Sequence, residues 1–302
     1  MRSAVAVSAV ALFAAAAGPI GRGDATLAVR LPSGASRVLW RASRAPIRWT
    51  AADAALAAFV TWHPGQPGVE WATLPIAGQG EAHALTLVLA RIDPRAASLH
   101  LVWGMDRDRP AWTVDQAGDA ALALNAGMFV EQLPWGWVVL NGHERLPPGR
   151  GPLSSALVGL ADGRLVWVDG DDVSRWRGRA DVRFALQSYP TVLTGDGDVP
   201  AALRDGAINV AHRDARLALG IDREGRLLVA LTRFDAPIPG ADRLPFGVTV
   251  PEMAAVMGAL GARQAMLLDG GISAQLAISD SAGQARAWKG LRKVPLALVV
   301  YH

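Results

Sequence analysis

The segment Leu267-Leu268-Asp269-Gly270-Gly271-Ile272-Ser273 sets a carboxylate, two glycines and a hydroxyl at the exit of an apolar run that begins at Ala265. A short apolar run ending in turn residues reads as a buried strand. A carboxylate at a strand's exit can take a proton from water or attack an electrophilic carbon. The glycines let a ligand come close to the backbone. Asp269 is therefore the first candidate for a general base or nucleophile, with Gly270, Gly271 and Ser273 as its binding surroundings. The same pattern also suits a plain turn in which the Asp bonds nearby backbone.

Three more segments place polar side chains at strand ends. Ala121–Leu124 runs into Asn125-Ala126-Gly127-Met128-Phe129, and Phe184-Ala185-Leu186 into Gln187-Ser188-Tyr189-Pro190. Arg216 precedes the run Leu217-Ala218-Leu219-Gly220-Ile221. Asn125, Gln187, Ser188 and Ser273 are of the type that bonds sugar hydroxyls or phosphate oxygens, or else satisfies backbone groups at strand ends. A guanidinium suits a phosphate because its planar fork donates two parallel bonds.

Taken in order, these four segments resemble the phosphodiester glycosidase family over roughly residues 68 to 302. The resemblance implies an α+β fold with a mixed β-sheet core and few helices. It implies hydrolysis of a sugar-1-phosphodiester on the glycosidic side. Asp269 and Arg216 would be catalytic; Asn125, Gln187, Ser188, Gly270, Gly271 and Ser273 would bind substrate. Arg213 and His212 are alternatives to Arg216, and Glu131, Asp196, Asp222 and Asp235 are possible second carboxylates. The chain departs from the family at Ala126, Tyr189 and Ile272, where smaller residues are usual, and the last two would narrow the pocket. A non-catalytic glycan-binding protein of the same fold, and a metal-dependent phosphoesterase, are the competing readings.

The elements that must hold these residues are mainly strands. Thr249-Val250-Pro251-Glu252 has capping-box spacing and opens a helix that Gly261 stops. A second helix is expected near Thr113 to Ala120. Asn141-Gly142, Asp162-Gly163 and Glu224-Gly225 mark hairpin turns. Asp93-Pro94 reads as a turn making Ser98–Trp103 the hairpin partner of Ala84–Ile92.

Composition narrows the choices. The 302 residues are half apolar, without Cys, and carry 11 Trp and a net charge of +3 with no long basic run, which argues against nucleic-acid binding. No zinc-ligand spacing, Gly-x-Ser-x-Gly or phosphate-binding Gly-Lys-Ser/Thr loop is present. No cofactor is required by these motifs, although Asp269 and Asn125 offer the oxygen ligands that Ca²⁺ or Mg²⁺ accepts. Arg2, the apolar run Ala4–Ala17 and its small-residue end read as a signal peptide over residues 1–17. Residues 18–67 then form an extension or spacer before a domain of residues 68–302. An exported protein, periplasmic or extracellular, acting on a sugar phosphate or glycan and without a membrane span after signal removal, is the resulting expectation.

Overall fold

The computed structural model describes residues 25–302 apart from 32, 152, 205–209 and 236–237, so the expected signal peptide lies outside the described residues. A large sheet forms the centre. Its strands run in the spatial order Thr191–Leu193, Ala262–Leu268, Leu217–Asp222, Leu227–Phe234, Leu85–Ile92, Val69–Ala77, Thr26–Arg30 and Ser36–Arg41. Two five-stranded sheets stack on one face of it. One is centred on Val182–Ser188, the other on Leu122–Asn125 and Leu296–Tyr301.

Period-two alternation explains the layering, since successive side chains of a strand point to opposite faces. Leu217 and Leu219, Leu227, Val229 and Leu231, and Met266 and Leu268 enter the core shared with the two smaller sheets. Their neighbours Ala218, Leu228, Ala230, Ala265 and Leu267 face the other side, where the helix Val250–Ala259 lies. The central strands are apolar on both faces because both faces are covered.

The structure corrects the mixed sheet: every strand pairing among the described residues is antiparallel. Half of the pairings join strands consecutive in the chain through turns, and antiparallel strands need no long crossover. The chain is mostly strand with few helices, as expected. Ser98–Trp103 is not the partner of Leu85–Ile92; it pairs with Leu296–Tyr301 in another sheet. Both edges of Leu85–Ile92 are already taken, by Val69–Ala77 and Leu227–Phe234. The segment after Thr113 is only a single tight turn, Val114–Gln116, and Gly118 with φ of 61° follows it.

The described part of residues 18–67 packs on the large sheet. Ala28 and Val29 pair with Ala77 and Ile76, and Leu27, Trp40, Trp49 and Leu56 are buried in the core on the helix side. Trp49 lies against the helix, where a Cβ at Gly258 would stand 2.2 Å from the indole. Gly258→Ala gains helix propensity of about 1 kcal/mol, but the indole must move. The expected net outcome is a loss of about 1–3 kcal/mol by overpacking, read as a lower denaturation midpoint; a midpoint unchanged or raised would show that Trp49 does not pack there.

Candidate active site

The site forms where the strands Ala262–Leu268 and Leu217–Asp222 meet the loops at their ends. Leu217 pairs with Leu268, so Arg216 and Asp269 stand opposite one another just beyond the ladder. Gly271 donates its N–H to the Ala215 carbonyl at 2.7 Å, and Asp269 donates to the Gly127 carbonyl at 2.8 Å. The glycines are required by contact. A Cβ on Gly270 would lie 2.4 Å from the Ala215 oxygen, and one on Gly271, whose φ is 57°, would lie 2.9 Å from the Asp214 carboxylate.

Asp269 is mostly buried. Burial pushes its carboxyl above the ordinary range, and the nearby Asp214 charge adds to that; the Ser273 hydroxyl, through a hydrogen bond, and the Arg292 charge pull the other way. Arg216 is also mostly buried, which draws its guanidinium down, while Asp214 opposes the shift. Asp214 is thus the group coupled to both. Two carboxylates, Asp269 and Asp214, and two cations, Arg216 and Arg292, share this electrostatic centre.

Arg216 is held rather than loose. Its Nε donates to the Val248 carbonyl at 3.1 Å and its Nη2 to the His212 carbonyl at 2.7 Å; its own N–H donates to Thr232 Oγ1 at 2.7 Å. Arg213, the alternative, makes a two-pronged pair with Glu252 at 2.7 and 2.8 Å. Glu252 is fully buried and also accepts from the Thr249 N–H at 2.8 Å, closing the helix's capping box. His212 is exposed, its Nε2 3.9 Å from Asp214.

The amides and Ser188 line the frame. Asn125 donates Nδ2–H to the Asp269 carbonyl at 2.8 Å and accepts from the Gln275 N–H at 2.9 Å, so both ends of its amide are engaged. Ser188 donates to the Leu267 carbonyl at 2.7 Å. Gln187 turns to the far face of its sheet. Its Oε1 accepts from the N–H groups of Trp137 and Gly149 at 2.8 and 2.9 Å, and its Nε2 donates to Ser154 Oγ at 3.1 Å. The structure therefore gathers Asp269, Gly270, Gly271, Ser273, Arg216 and Asn125 at one place, with Ser188 just behind. It sends the Gln187 side chain to the backbone around Trp137. Arg233, whose guanidinium burial pushes down to about 10, donates Nη2–H to the carbonyls of Ala274 and Trp288 at 2.6 and 2.9 Å and so fastens the end of the Asp269 loop.

The second carboxylates expected from sequence lie elsewhere. Asp222 is paired with Arg226 at the opposite end of its strand, Asp235 with Arg30, and Asp196 faces Arg223. Only the Glu131 backbone approaches, its carbonyl 3.3 Å from Arg292 Nη2. Asp214 and Arg292 were missed because neither sits at the end of an apolar run. The one signal for Asp214 was its position two residues before Arg216. Among the described residues no three His, Cys, Asp or Glu side chains are gathered as an ion would need. A cavity of about 1160 Å³, lined in part by Arg95, Asn141, Phe184 and Gly225, opens toward the Asp222–Gly225 turn and contains none of the candidates.

By class this is an antiparallel β protein whose candidate site brings two carboxylates and two arginines to its strand ends. The phosphodiester glycosidase family model matches residues 118–301, well over half of the chain, and the chain belongs to that family. Among solved structures, it is similar to the catalytic domain of zebrafish N-acetylglucosamine-1-phosphodiester alpha-N-acetylglucosaminidase, auto-inhibited by its pro-peptide. The TM-score is 0.61 at 16% identity, covering 80% of this chain and 87% of that one. A hypothetical protein from Synechocystis matches with a TM-score of 0.51 at 17% identity over 78% of this chain; the match spans 63% of that protein's chain. At such identities the likeness is one of fold. No curated protein matches. Among the described residues no helix is long and apolar enough to cross a membrane.

Removing Arg213 leaves the Glu252 carboxylate buried without its cation. Arg213→Ala is expected to cost about 3–5 kcal/mol of stability, the range for breaking a buried pair, measured by denaturant unfolding. The double change Arg213→Met with Glu252→Gln is expected to recover much of that loss; equal losses for both would show that the pair does not govern the site's frame.

Proposed function

We propose that the protein is an exported hydrolase that cleaves the glycosidic bond of sugar-1-phosphodiesters in envelope or extracellular glycans. Family membership supports glycosidase-type chemistry. The observation that carries the finer reading is the buried Asp269 carboxyl, raised by burial and by Asp214, beside Arg292 and Arg216. A phosphate leaving group needs little protonation but does need its charge held, and cations fixed in place do that without reorganising.

In this mechanism Arg292, with Arg216 behind it, faces the phosphate, and the sugar's anomeric carbon lies over the Asp269–Asp214 side. A water attacks the anomeric carbon as the carbon–oxygen bond to phosphate lengthens. The electrons of that bond pass to the phosphate oxygen, and the water's proton passes to Asp269. A carboxylate with a raised pKa is a stronger base than a solvated one. Asp214 lies on the same side, where a carboxylate stabilises an oxocarbenium-like centre. The products are a free sugar and a phosphate monoester.

Hydrolysis in oxygen-18 water is expected to label the sugar; label in phosphate would replace the glycosidase reading with phosphoesterase chemistry. Asp269→Asn is expected to lower turnover by at least about 10²-fold, the lower end for general-base loss, with the fold intact. The acid limb of kcat/KM against pH is expected above the ordinary carboxylate value of about 3.9. Since Asp214 raises and Arg292 lowers the Asp269 carboxyl, Asp214→Asn should move that limb to lower pH and Arg292→Met to higher pH. Shifts of the opposite sign would remove Asp269 as the titrating base. Wild-type binding of sugar phosphodiesters without turnover would favour a glycan-binding protein.

A further inference from the structure

Among the described residues eight large apolar side chains are exposed, and four of them stand on two loops beside the candidate site. They are Ile272, Leu291, Val130 and Leu133, exposed to 44, 52, 56 and 49%. Two backbone links hold them together. Leu291 donates its N–H to the Ile272 carbonyl at 2.7 Å, and Val130 pairs with Leu133 across the tip of a hairpin. Arg292 joins the two halves, its N–H bonding the Ile272 carbonyl at 3.2 Å and its Nη2 the Glu131 carbonyl at 3.3 Å. Gathered, exposed apolar side chains mark a surface that something covers.

Position and charge say what covers it. Ile272 is three residues beyond Asp269, and Arg292, the cation that links the two apolar pairs, is the one whose charge acts on Asp269. A phosphodiester at Arg292, with its sugar toward Asp269, has its other ester substituent leaving in the direction of these side chains. We propose that this rim binds an apolar aglycone, so that the substrate is a sugar joined through phosphate to an alkyl or prenyl-like alcohol. The proposal rests on the phosphodiester glycosidase reading of the same site. An anionic centre with an apolar tail on one side matches a cation set inside an apolar rim; a sugar or peptide aglycone would leave the four side chains in water.

The test is a series of N-acetylglucosamine-1-phosphate diesters carrying methyl, butyl and octyl groups. In the wild-type protein kcat/KM is expected to rise at least about tenfold from methyl to octyl, well below the gain that complete burial of the added methylenes would give. Ile272→Ser with Leu291→Ser, and separately Val130→Ser with Leu133→Ser, should each bring the octyl-to-methyl ratio toward one. Both pairs are surface changes, and unfolding curves confirm that the fold is kept. A wild-type ratio of one overturns the apolar aglycone while leaving the glycosidase reading in place. So does a ratio that survives in both variants, including the case where the variants only dissociate a self-associated form in sedimentation. If no diester is hydrolysed, the glycosidase reading falls. Calorimetric binding then decides the present proposal alone: octyl binding at least about tenfold tighter than methyl supports it, and equal binding overturns it.

Discussion

The frame of the candidate site depends on one ion pair. Arg213 and Glu252 meet in two parallel hydrogen bonds, with Glu252 fully buried and Arg213 partly buried. Glu252 is also the third residue of the helix and closes its capping box on Thr249. The pair therefore fixes the helix start and the segment 212–216 against one another. That segment carries Asp214 and Arg216, and Arg216 in turn grips the Val248 carbonyl just before the helix. A buried pair is a weak source of net stability, because desolvation offsets much of the attraction. Its use here is geometric: the alternative placements of Arg213 leave a carboxylate buried alone.

The second constraint is backbone approach. The turn at Gly270 and Gly271 is pressed against Ala215 and Asp214: a Cβ at Gly270 would collide with the Ala215 carbonyl, and one at Gly271 would be strained by its φ of 57° and would displace the Asp214 carboxylate. This contact brings Asp214 within electrostatic range of Asp269 although 55 positions separate them in sequence. The polar residues at the other strand ends do a related task. Asn125 and Ser188 hold the backbone at Asp269 and Leu267, and Gln187 holds the loop at Gly149. Their bonding capacity is spent on carbonyls and N–H groups that the ends of the strands leave open, as buried polar groups require. A frame satisfied in this way keeps its charged groups in place without substrate, which is the condition for electrostatic stabilisation of a transition state.

Much of this was legible in the chain, and the limits have physical causes. The helix at Thr249 was readable because its cap is local, within four residues. The turn after Leu268 was readable because the acid-Gly-Gly sequence has its own signature. The hairpins at Asn141-Gly142 and Gly163 were readable for the same reason. Asp214 and Arg292 were not, since each becomes a site residue only through a long-range contact, to Gly271 and to Ile272 respectively. Ser98–Trp103 was assigned to the wrong neighbour because local pattern cannot show that both edges of Leu85–Ile92 are occupied by strands. Residues 26–41 showed no strong pattern, yet they extend the sheet and bury Leu27 and Trp40.

Linkage shows what the arrangement costs. Burial raises the Asp269 carboxyl above its value in the unfolded chain, so between the two values the native state binds the proton more firmly. The stabilising contribution of this group is fully present below the unfolded value of about 3.9 and is lost as pH rises through the folded value. At neutral pH the ionised Asp269 therefore works against folding, and Asp214 adds to that cost through its effect on Asp269. Ser273 and Arg292 reduce that cost without removing it, since the net shift remains upward. The packed helix face, the Arg213–Glu252 pair and the filled backbone bonds supply the stability that lets the fold hold Asp269 mostly buried, and this is the physical sense in which the candidate site and its frame are one structure.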